Sequence, residues 1–164
     1  MMCLKPLDLD IDFEKLKKEY FSQPLMEFKL EHCCSCNDDY YDHVTDWHHF
    51  YPDLVEGSEL NRIVDQVNTK AGKPIISHVQ YYRLDANASL PMHKDPMRTT
   101  RCAVSILLDE SGPITFEKIG DVDYRVALLD VSRCSHTVKP YPKDRHQVKL
   151  SIAKYSFDQV SEWI

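Results

Sequence analysis

The sequence contains little glycine, no long apolar run and no excess of positive charge. Only four of its 164 residues are glycine, and no internal repeat or low-complexity segment is present, so we expect no flexible interdomain linker. No stretch reaches the roughly 20 apolar residues of a membrane-spanning helix, and residues 1–5 lack the apolar core of a signal peptide. We therefore expect a single domain over 1–164, no membrane partner and a cytoplasmic location.

The charge balance argues against nucleic acid as a partner. The chain carries 20 Lys and Arg against 26 Asp and Glu, for a formal net charge of -6. A phosphate backbone is bound chiefly through a surplus of positive side chains, which is missing here. Hydrophobic residues make up 43% of the chain, which is enough to bury a core without metal or disulfide cross-links.

The six cysteines include no Cys-x-x-Cys pair. Without an export signal, this pattern predicts reduced thiols rather than a disulfide framework. Cys33, Cys34 and Cys36 lie close together and have four histidines nearby, His32, His43, His48 and His49. Their spacing matches no tetrahedral zinc pattern. We therefore favour an irregular segment of partly buried cysteines over a structural metal site, and aromatic packing on the sheet over a lid for residues 38–51.

Two helices are predicted in the first part of the chain, 1–74, which we interpret as a helical and irregular support region. Between Asp12 and Tyr20, apolar residues recur at helical spacing behind Asp12 as the N-terminal cap. A second amphipathic run begins after Ser58, and Gly72 and Pro74 end it.

After Pro74 the sequence changes to short runs of β-branched and aromatic residues, which are typical of strands. The runs are Ile75–Leu84, Cys102–Leu108, Ile114–Ile119, Tyr124–Leu129 and Val148–Phe157. Turns that contain Asp, Gly and Pro connect them, with no helix in between. This order predicts an α+β chain that is mainly β, in which N-terminal helices cover one sheet of an antiparallel sandwich or jelly roll.

His93 and Asp95 are two positions apart, so on an extended backbone both side chains point to the same side. This spacing alone is equally compatible with an ordinary surface or hydrogen-bonded histidine. His136 follows 41 residues after Asp95, with three predicted strands in between. Two imidazoles and one carboxylate leave three positions of an octahedral ion open, as in non-haem iron(II) oxygenases. A closed four-ligand zinc site would leave none.

A dicarboxylate co-substrate also needs a fixed cation at its far end, and arginine binds carboxylates through two parallel donors. Arg145 follows His136 by nine residues, after a turn that contains two prolines. Lys149 is a second candidate for this role. The alternative for Arg145 is an exposed side chain paired with Asp144.

Residues 75–157, about half the chain, resemble the double-stranded β-helix core of the iron(II)- and 2-oxoglutarate-dependent dioxygenases, in particular the prolyl-4-hydroxylase-like branch. The segments that carry the resemblance are Val79–Tyr82, Pro91–Asp95, Arg101–Leu108, Ser135–Val138 and Arg145. The chain departs from the family at Gly112-Pro113, where a Gly-Gly pair is frequent, and at Leu108, where some relatives carry a tyrosine.

The resemblance implies a metal site, a co-substrate site and a reaction. His93, Asp95 and His136 would bind Fe(II), Arg145 would pair with the distal carboxylate of 2-oxoglutarate, and Tyr82 would hydrogen-bond this co-substrate. With dioxygen, the enzyme would hydroxylate an amino-acid residue of a peptide, with a prolyl type favoured, or a free amino acid, and release succinate and CO2. Aspartyl or asparaginyl hydroxylation and a non-catalytic metal-binding or sensor module remain alternatives. Arg101, with Arg98 nearby, is a candidate for a substrate carboxylate, although a surface role is an equal alternative.

Overall fold

The computed structural model describes residues 2–23, 26–27 and 47–164, with the backbone alone described for Met26, Glu27 and Trp47. Within these ranges the chain forms eleven strands and three helices. In chain order they are β1 (Leu4–Pro6), α1 (Phe13–Phe21), β2 (Met26–Glu27), β3 (Trp47–Phe50), α2 (Glu59–Ala71), β4 (His78–Leu84), β5 (Leu90–His93), β6 (Cys102–Leu107), β7 (Ile114–Phe116), β8 (Gly120–Val122), β9 (Val126–Leu129), β10 (His136–Val138), β11 (Arg145–Ile152) and α3 (Phe157–Trp163). No helix in these ranges combines the length and the apolar character that crossing a bilayer requires.

The strands form two antiparallel sheets. The larger sheet has seven strands in the order β1-β9-β6-β11-β4-β3-β2, and the smaller has four in the order β5-β10-β7-β8. Neighbours in space are mostly distant in sequence, as in the long central strand β11, which pairs with β4 on one side and β6 on the other. The predicted jelly-roll class, with N-terminal helices, is confirmed.

Local signals set the ends of the first two helices as predicted. The Asp12 carboxylate accepts a hydrogen bond from the Lys15 backbone N–H at 3.0 Å, and the Ser58 hydroxyl accepts one from that of Asn61 at 3.1 Å. Each bond satisfies a donor that the first helical turn leaves unpaired. Helix α2 ends at Gly72, whose φ of 70° lies in the left-handed region that favours glycine.

The main core lies between the helices and one face of the larger sheet. Leu16 and Tyr20 of α1 and Ile63 of α2 are fully buried there, in the same cluster as Val148 and Leu150 of β11. Because successive side chains of a strand point to opposite faces, Arg145, Gln147 and Lys149 of β11 point the other way, into a cavity that they help to line. Strand β11 thus connects the helix-covered core to the candidate site.

The last predicted strand is wrong at its C-terminal end. Strand β11 begins at Arg145 and ends at Ile152, and residues Phe157–Trp163 form helix α3 instead. Ser156 and Gln159 form a reciprocal capping box at the start of this helix. This local hydrogen-bonding pattern marks the start of a helix. The predicted strand ran past it to Phe157 because the signal at Ser156 was overlooked.

The prediction of reduced thiols is also wrong for two cysteines. Cys3 and Cys134 form a disulfide, with their Cα atoms 5.9 Å apart. The partners are 131 positions apart in the sequence, so local cysteine spacing gives no indication of the pair. Pairing of β1 with β9 brings the N-terminus beside the loop before β10. Cys102 is a buried free thiol, whereas Cys33, Cys34 and Cys36 lie outside the described residues.

Candidate metal centre

Two short neighbouring strands bring the three predicted metal ligands together. His93 is the last residue of β5 and His136 is the first of β10, and the antiparallel pairing places the two residues directly opposite each other. Their ring centroids are 4.3 Å apart. Asp95 follows β5 and is fixed by its backbone N–H, which donates to the Val131 carbonyl at 2.9 Å.

The donor atoms of the three side chains converge on one point. Oδ1 of Asp95 lies 3.5 Å from Nε2 of His93 and 3.8 Å from Nε2 of His136. All three donor atoms lie within 4.8 Å of one another. This spacing fits three donors that share one ion.

Backbone carbonyls set the tautomer of both imidazoles. Nδ1 of His93 lies 2.8 Å from the Pro91 carbonyl, and Nδ1 of His136 lies 3.1 Å from the Cys134 carbonyl. Because a carbonyl only accepts, each Nδ1 must carry the proton and donate it. In a neutral ring, Nε2 then keeps its lone pair, which is the form that a metal requires.

The electrostatic environment favours the same protonation states. Burial raises the pKa of Asp95, but the Lys149 ammonium and the two imidazoles outweigh burial and hold this pKa well below its usual range. Burial, together with the neighbouring His93, lowers the pKa of His136 to about 4. At neutral pH the site therefore contains an ionised carboxylate and a neutral His136, and both are ready to bind a cation.

The triad of His93, Asp95 and His136 opens into a cavity between the two sheets, where the space not filled by atoms, including open solvent, is about 620 Å³. Arg145 lines the same cavity and is only 4% exposed. Its guanidinium donates to the Gly112 carbonyl at 2.9 Å, to the Ser111 carbonyl at 3.3 Å and to the Tyr124 hydroxyl at 3.2 Å. All of these partners are neutral.

Arg145 also has an unused donor. Its buried Nε–H has no hydrogen-bond partner among the described residues. The alternative of an exposed Arg145 paired with Asp144 does not match this burial, and the Asp144 carboxylate accepts from the Ala86 N–H instead. A buried cation is costly without an anionic partner. The arrangement suits a carboxylate that enters the cavity.

No family model matches the chain, and no curated protein does. Solved structures do. A prolyl hydroxylase from Trichoplax adhaerens, in complex with a hypoxia inducible factor oxygen degradation domain peptide fragment, superposes with a TM-score of 0.65 at 14% identity, over 98% of this chain and 86% of that one. A 2OG-Fe(II) oxygenase family protein from Burkholderia pseudomallei gives a TM-score of 0.54 at 12% identity, over 88% and 82% of the two chains. A viral collagen prolyl hydroxylase from Paramecium Bursaria Chlorella virus-1, as its 2OG complex, gives 0.52 at 9% identity, over 63% and 76%.

The chain has the double-stranded β-helix fold of the 2-oxoglutarate-dependent oxygenases. At 9–14% identity, these likenesses establish the fold alone. The residue roles must therefore be argued from the geometry of this chain.

Within the double-stranded β-helix, Tyr82 and Tyr81 point to opposite sides of β4, because side chains alternate along a strand. Tyr82 lines the cavity, and burial, followed by the nearby Asp95, raises the pKa of its hydroxyl. Tyr81 packs in the helix-covered core, with its ring centroid 4.9 Å from that of Tyr20. The Tyr82 hydroxyl therefore stays protonated at neutral pH and is able to donate a hydrogen bond inside the cavity.

The two other cationic candidates, Lys149 and Arg101, differ from Arg145 in their surroundings. Lys149 lines the cavity, but its Nζ contacts Oδ2 of Asp95. Arg101 directly precedes β6, is exposed and is not among the residues that line the cavity. The substrate role of Arg101 thus gains no support from its position.

A series of hydrogen-bonded side chains beside Arg145 was not predicted from the sequence. The Tyr124 hydroxyl, which accepts from Arg145, lies 2.8 Å from Oγ of Ser105, and Gln147 Nε2 donates to the same Oγ at 2.8 Å. The alternation of Arg145, Gln147 and Lys149 along one strand would have indicated a shared face. Tyr124 was predicted to begin a strand, but it lies just before β9, and no pattern in the sequence related it to Arg145.

Proposed function

We propose that the chain is an iron(II)- and 2-oxoglutarate-dependent dioxygenase that hydroxylates an amino-acid residue of a peptide or a free amino acid, with a prolyl-type substrate favoured. The observation that carries the proposal is that two kinds of binding group line the same cavity. It holds a His93, Asp95 and His136 cluster and, separately, the buried Arg145 guanidinium with an unpartnered Nε–H. A metal-chelating dicarboxylate needs both features at once.

The three donors fit iron(II) by number and type. His93 and His136 would each offer Nε2, and Asp95 would offer Oδ1, because these are the atoms that face one another. No fourth His, Cys, Asp or Glu joins the cluster among the described residues. Three donors leave half of an octahedral sphere open, whereas structural zinc sites are closed by four. When bound, iron(II) and 2-oxoglutarate supply the oxidising chemistry, with succinate and CO2 as co-products.

Arg145 would hold the far carboxylate of the co-substrate. Its Nε–H is available, and an incoming carboxylate competes well with neutral partners for the guanidinium because charge-assisted bonds are stronger. The Tyr124 hydroxyl keeps the guanidinium in place, and Ser105 and Gln147 fix that hydroxyl in turn. The protonated Tyr82 hydroxyl is suited to donate a second hydrogen bond to the co-substrate.

Apolar side chains complete the cavity and exclude water from the reacting groups. They are Leu84, Leu90, Ala103, Ile114, Leu129, Val131 and Val138. In such surroundings the attraction between a carboxylate and Arg145 is screened less than in water.

A peptide substrate is favoured by the structural relatives. The Trichoplax adhaerens prolyl hydroxylase is in complex with a peptide fragment, and the viral relative is a collagen prolyl hydroxylase. Both carry the same fold as this chain, which supports a proline-containing peptide as the first substrate to test.

The proposal is tested by succinate release from 2-oxoglutarate in the presence of iron(II), oxygen and a panel of proline-containing peptides, asparagine- or aspartate-containing peptides and free amino acids. We expect release that depends on one class of substrate, with mass spectrometry showing one added oxygen. Arg145→Ala should abolish release at moderate 2-oxoglutarate, whereas Arg101→Ala, which removes an exposed arginine, should leave co-substrate dependence unchanged. Tight metal binding without succinate release under any condition would favour the non-catalytic metal-binding module instead.

A further inference from the structure

Lys149 lies inside the candidate site but takes no part in the function proposed above. Its side chain extends from the central strand β11, where its backbone pairs with Gln80 on one side and Ser105 on the other. Its Nζ contacts Oδ2 of Asp95, and both side chains are largely buried, at 14% and 12% exposure. The ammonium also lies 5.8 Å from the centre of the Tyr82 ring.

The two oxygens of the Asp95 carboxylate therefore have different partners. Oδ1 faces Nε2 of both histidines, at 3.5 and 3.8 Å, whereas Oδ2 faces the Lys149 ammonium. A carboxylate beside a metal is able to bind through one oxygen or through both. The position of the ammonium distinguishes between these two modes, because it occupies the oxygen that a two-point contact would need.

We propose that Lys149 is a positioning residue that holds Oδ2 of Asp95 away from the metal, so that Asp95 binds through Oδ1 alone. The proposal rests on the metal site of the proposed function and explains how that site keeps three open positions. A two-point Asp95 would occupy a fourth position and leave two. The co-substrate chelate needs two positions and dioxygen needs one, so the reaction requires all three.

The position of Lys149 is well suited to this role. Its backbone pairs with a strand on each side and its side chain is only 14% exposed, so the ammonium has little room to move away from Asp95. Asp95 is its only carboxylate partner among the described residues. A lysine donates from a compact point charge, which leaves Oδ1 unobstructed on the side of the imidazoles.

A merely structural ion pair would behave differently when the ammonium is removed. If Lys149 only kept Asp95 in place, its loss would weaken metal binding. If Lys149 restricts Asp95 to one oxygen, its loss should leave metal affinity unchanged or higher, because repulsion between the ammonium and the dication also disappears. Co-substrate binding should then be the property that fails, because Asp95 takes a position that the chelate needs.

The test compares Lys149→Met, which keeps the length of the side chain without its charge, with Lys149→Arg, which keeps the charge. Anaerobic titration with Mn(II) gives the metal affinity, and titration of the iron(II) protein with 2-oxoglutarate, followed by its visible charge-transfer band, gives the co-substrate affinity. We expect Lys149→Met to bind metal at least as well as the wild type but 2-oxoglutarate about 10- to 100-fold more weakly, within the range of outer-shell effects. Lys149→Arg, which keeps the positive charge, should retain most of the wild-type affinity for 2-oxoglutarate. Unchanged 2-oxoglutarate affinity in Lys149→Met, or weaker metal binding by it, would overturn the proposal.

A crystal structure of the wild type with Mn(II) tests the inference without any variant. One Asp95 oxygen on the metal, with Lys149 Nζ on the other, is the expected result, and two oxygens on the metal would refute it. The two proposals remain distinguishable. A wild type that binds Mn(II) through one Asp95 oxygen but gives no charge-transfer band contradicts the dioxygenase assignment and leaves the role of Lys149 intact.

Discussion

His136 lies directly opposite His93 across the β5–β10 pair, with the two ring centroids 4.3 Å apart. The two residues are 43 positions apart in the sequence, and only the strand register brings them together. A shift of one residue in this pairing would turn one imidazole to the other face of the sheet. The candidate site therefore depends on correct pairing of two strands that are only three and four residues long.

Replacement of one imidazole should remove most metal affinity. In His136→Ala, two donors remain, and we expect Mn(II) affinity to fall by more than the roughly 10- to 100-fold that loss of an outer-shell partner costs. Anaerobic calorimetry measures the change. His146→Ala is the matched control, because His146 lies on β11 and contacts Asp109 and Phe21, outside the cavity. Equal affinity of His136→Ala and the wild type would contradict the assigned ligand set.

The Cys3–Cys134 disulfide should contribute to stability and to the metal site together. It closes a loop of 131 residues, and removal of such a bond usually costs about 2 to 5 kcal/mol. Cys134 lies two residues before His136, and its carbonyl accepts from that ring. We expect Cys3→Ser to lower the urea midpoint and weaken Mn(II) binding.

The control for this prediction is a reducing agent. It should lower the urea midpoint of the wild type to that of Cys3→Ser and have no further effect on the variant. A wild type whose urea midpoint does not respond to reduction would show that the bond is not formed in solution.

The Tyr20 hydroxyl should stabilise the contact between α1 and the sheet. It is fully buried and donates to the Tyr82 backbone carbonyl at 2.6 Å. Tyr20→Phe leaves this carbonyl without that donor, which should cost about 1 to 3 kcal/mol of unfolding free energy in urea. Tyr141→Phe removes only an exposed hydroxyl with a 3.4 Å contact to Glu110 and should change stability by less than about 0.5 kcal/mol. Similar values for the two variants would disprove the contribution of the buried bond.

Glu59 should make the fold sensitive to acid. Hydrogen bonds from Arg62 outweigh the opposing effect of burial, with further help from the Asp12 N–H, and the pKa of Glu59 lies below its ordinary 4.5. Because the folded pKa is lower than the unfolded one, this stabilisation is present above the unfolded pKa and is lost as the pH falls through the folded pKa.

Urea unfolding as a function of pH checks this prediction. Glu59→Gln should be less stable than the wild type at neutral pH. The difference in unfolding free energy between the two proteins should become smaller below pH 4.5. Glu14→Gln, at a glutamate with a 90% exposed side chain in α1, should follow the wild-type profile. A gap between Glu59→Gln and the wild type that stays constant down to acid pH would contradict the role of this carboxylate.

Features encoded by nearby residues were predictable from the sequence. The Asp12, Ser58 and Gly72 helix ends depend on hydrogen bonds and a backbone conformation within a few positions, so the local pattern determines them. The β-branched runs, such as Cys102–Leu107 and the middle of β11, were also predictable, because β-branched residues favour strands.

Apart from the three metal ligands, which the family resemblance implied, features that depend on pairing over long distances were not predictable. Strands β5 and β10 are too short to show a periodic pattern, and β5 contains Pro91, which disfavours a strand prediction. The contact between Lys149 and Asp95 joins residues 54 positions apart. It results from the approach of β11 to the chain that follows β5. From the sequence, Lys149 was only an alternative to Arg145 as the cation that binds the co-substrate, and nothing indicated its contact with the Asp95 carboxylate.

The most direct test of the dioxygenase assignment is an anaerobic titration of the iron(II)-loaded wild type with 2-oxoglutarate, followed in the visible range. The account predicts a weak charge-transfer band that saturates with co-substrate, disappears in Arg145→Ala at moderate 2-oxoglutarate and persists in Arg101→Ala. The absence of any band from the intact, iron-loaded wild type would contradict the account.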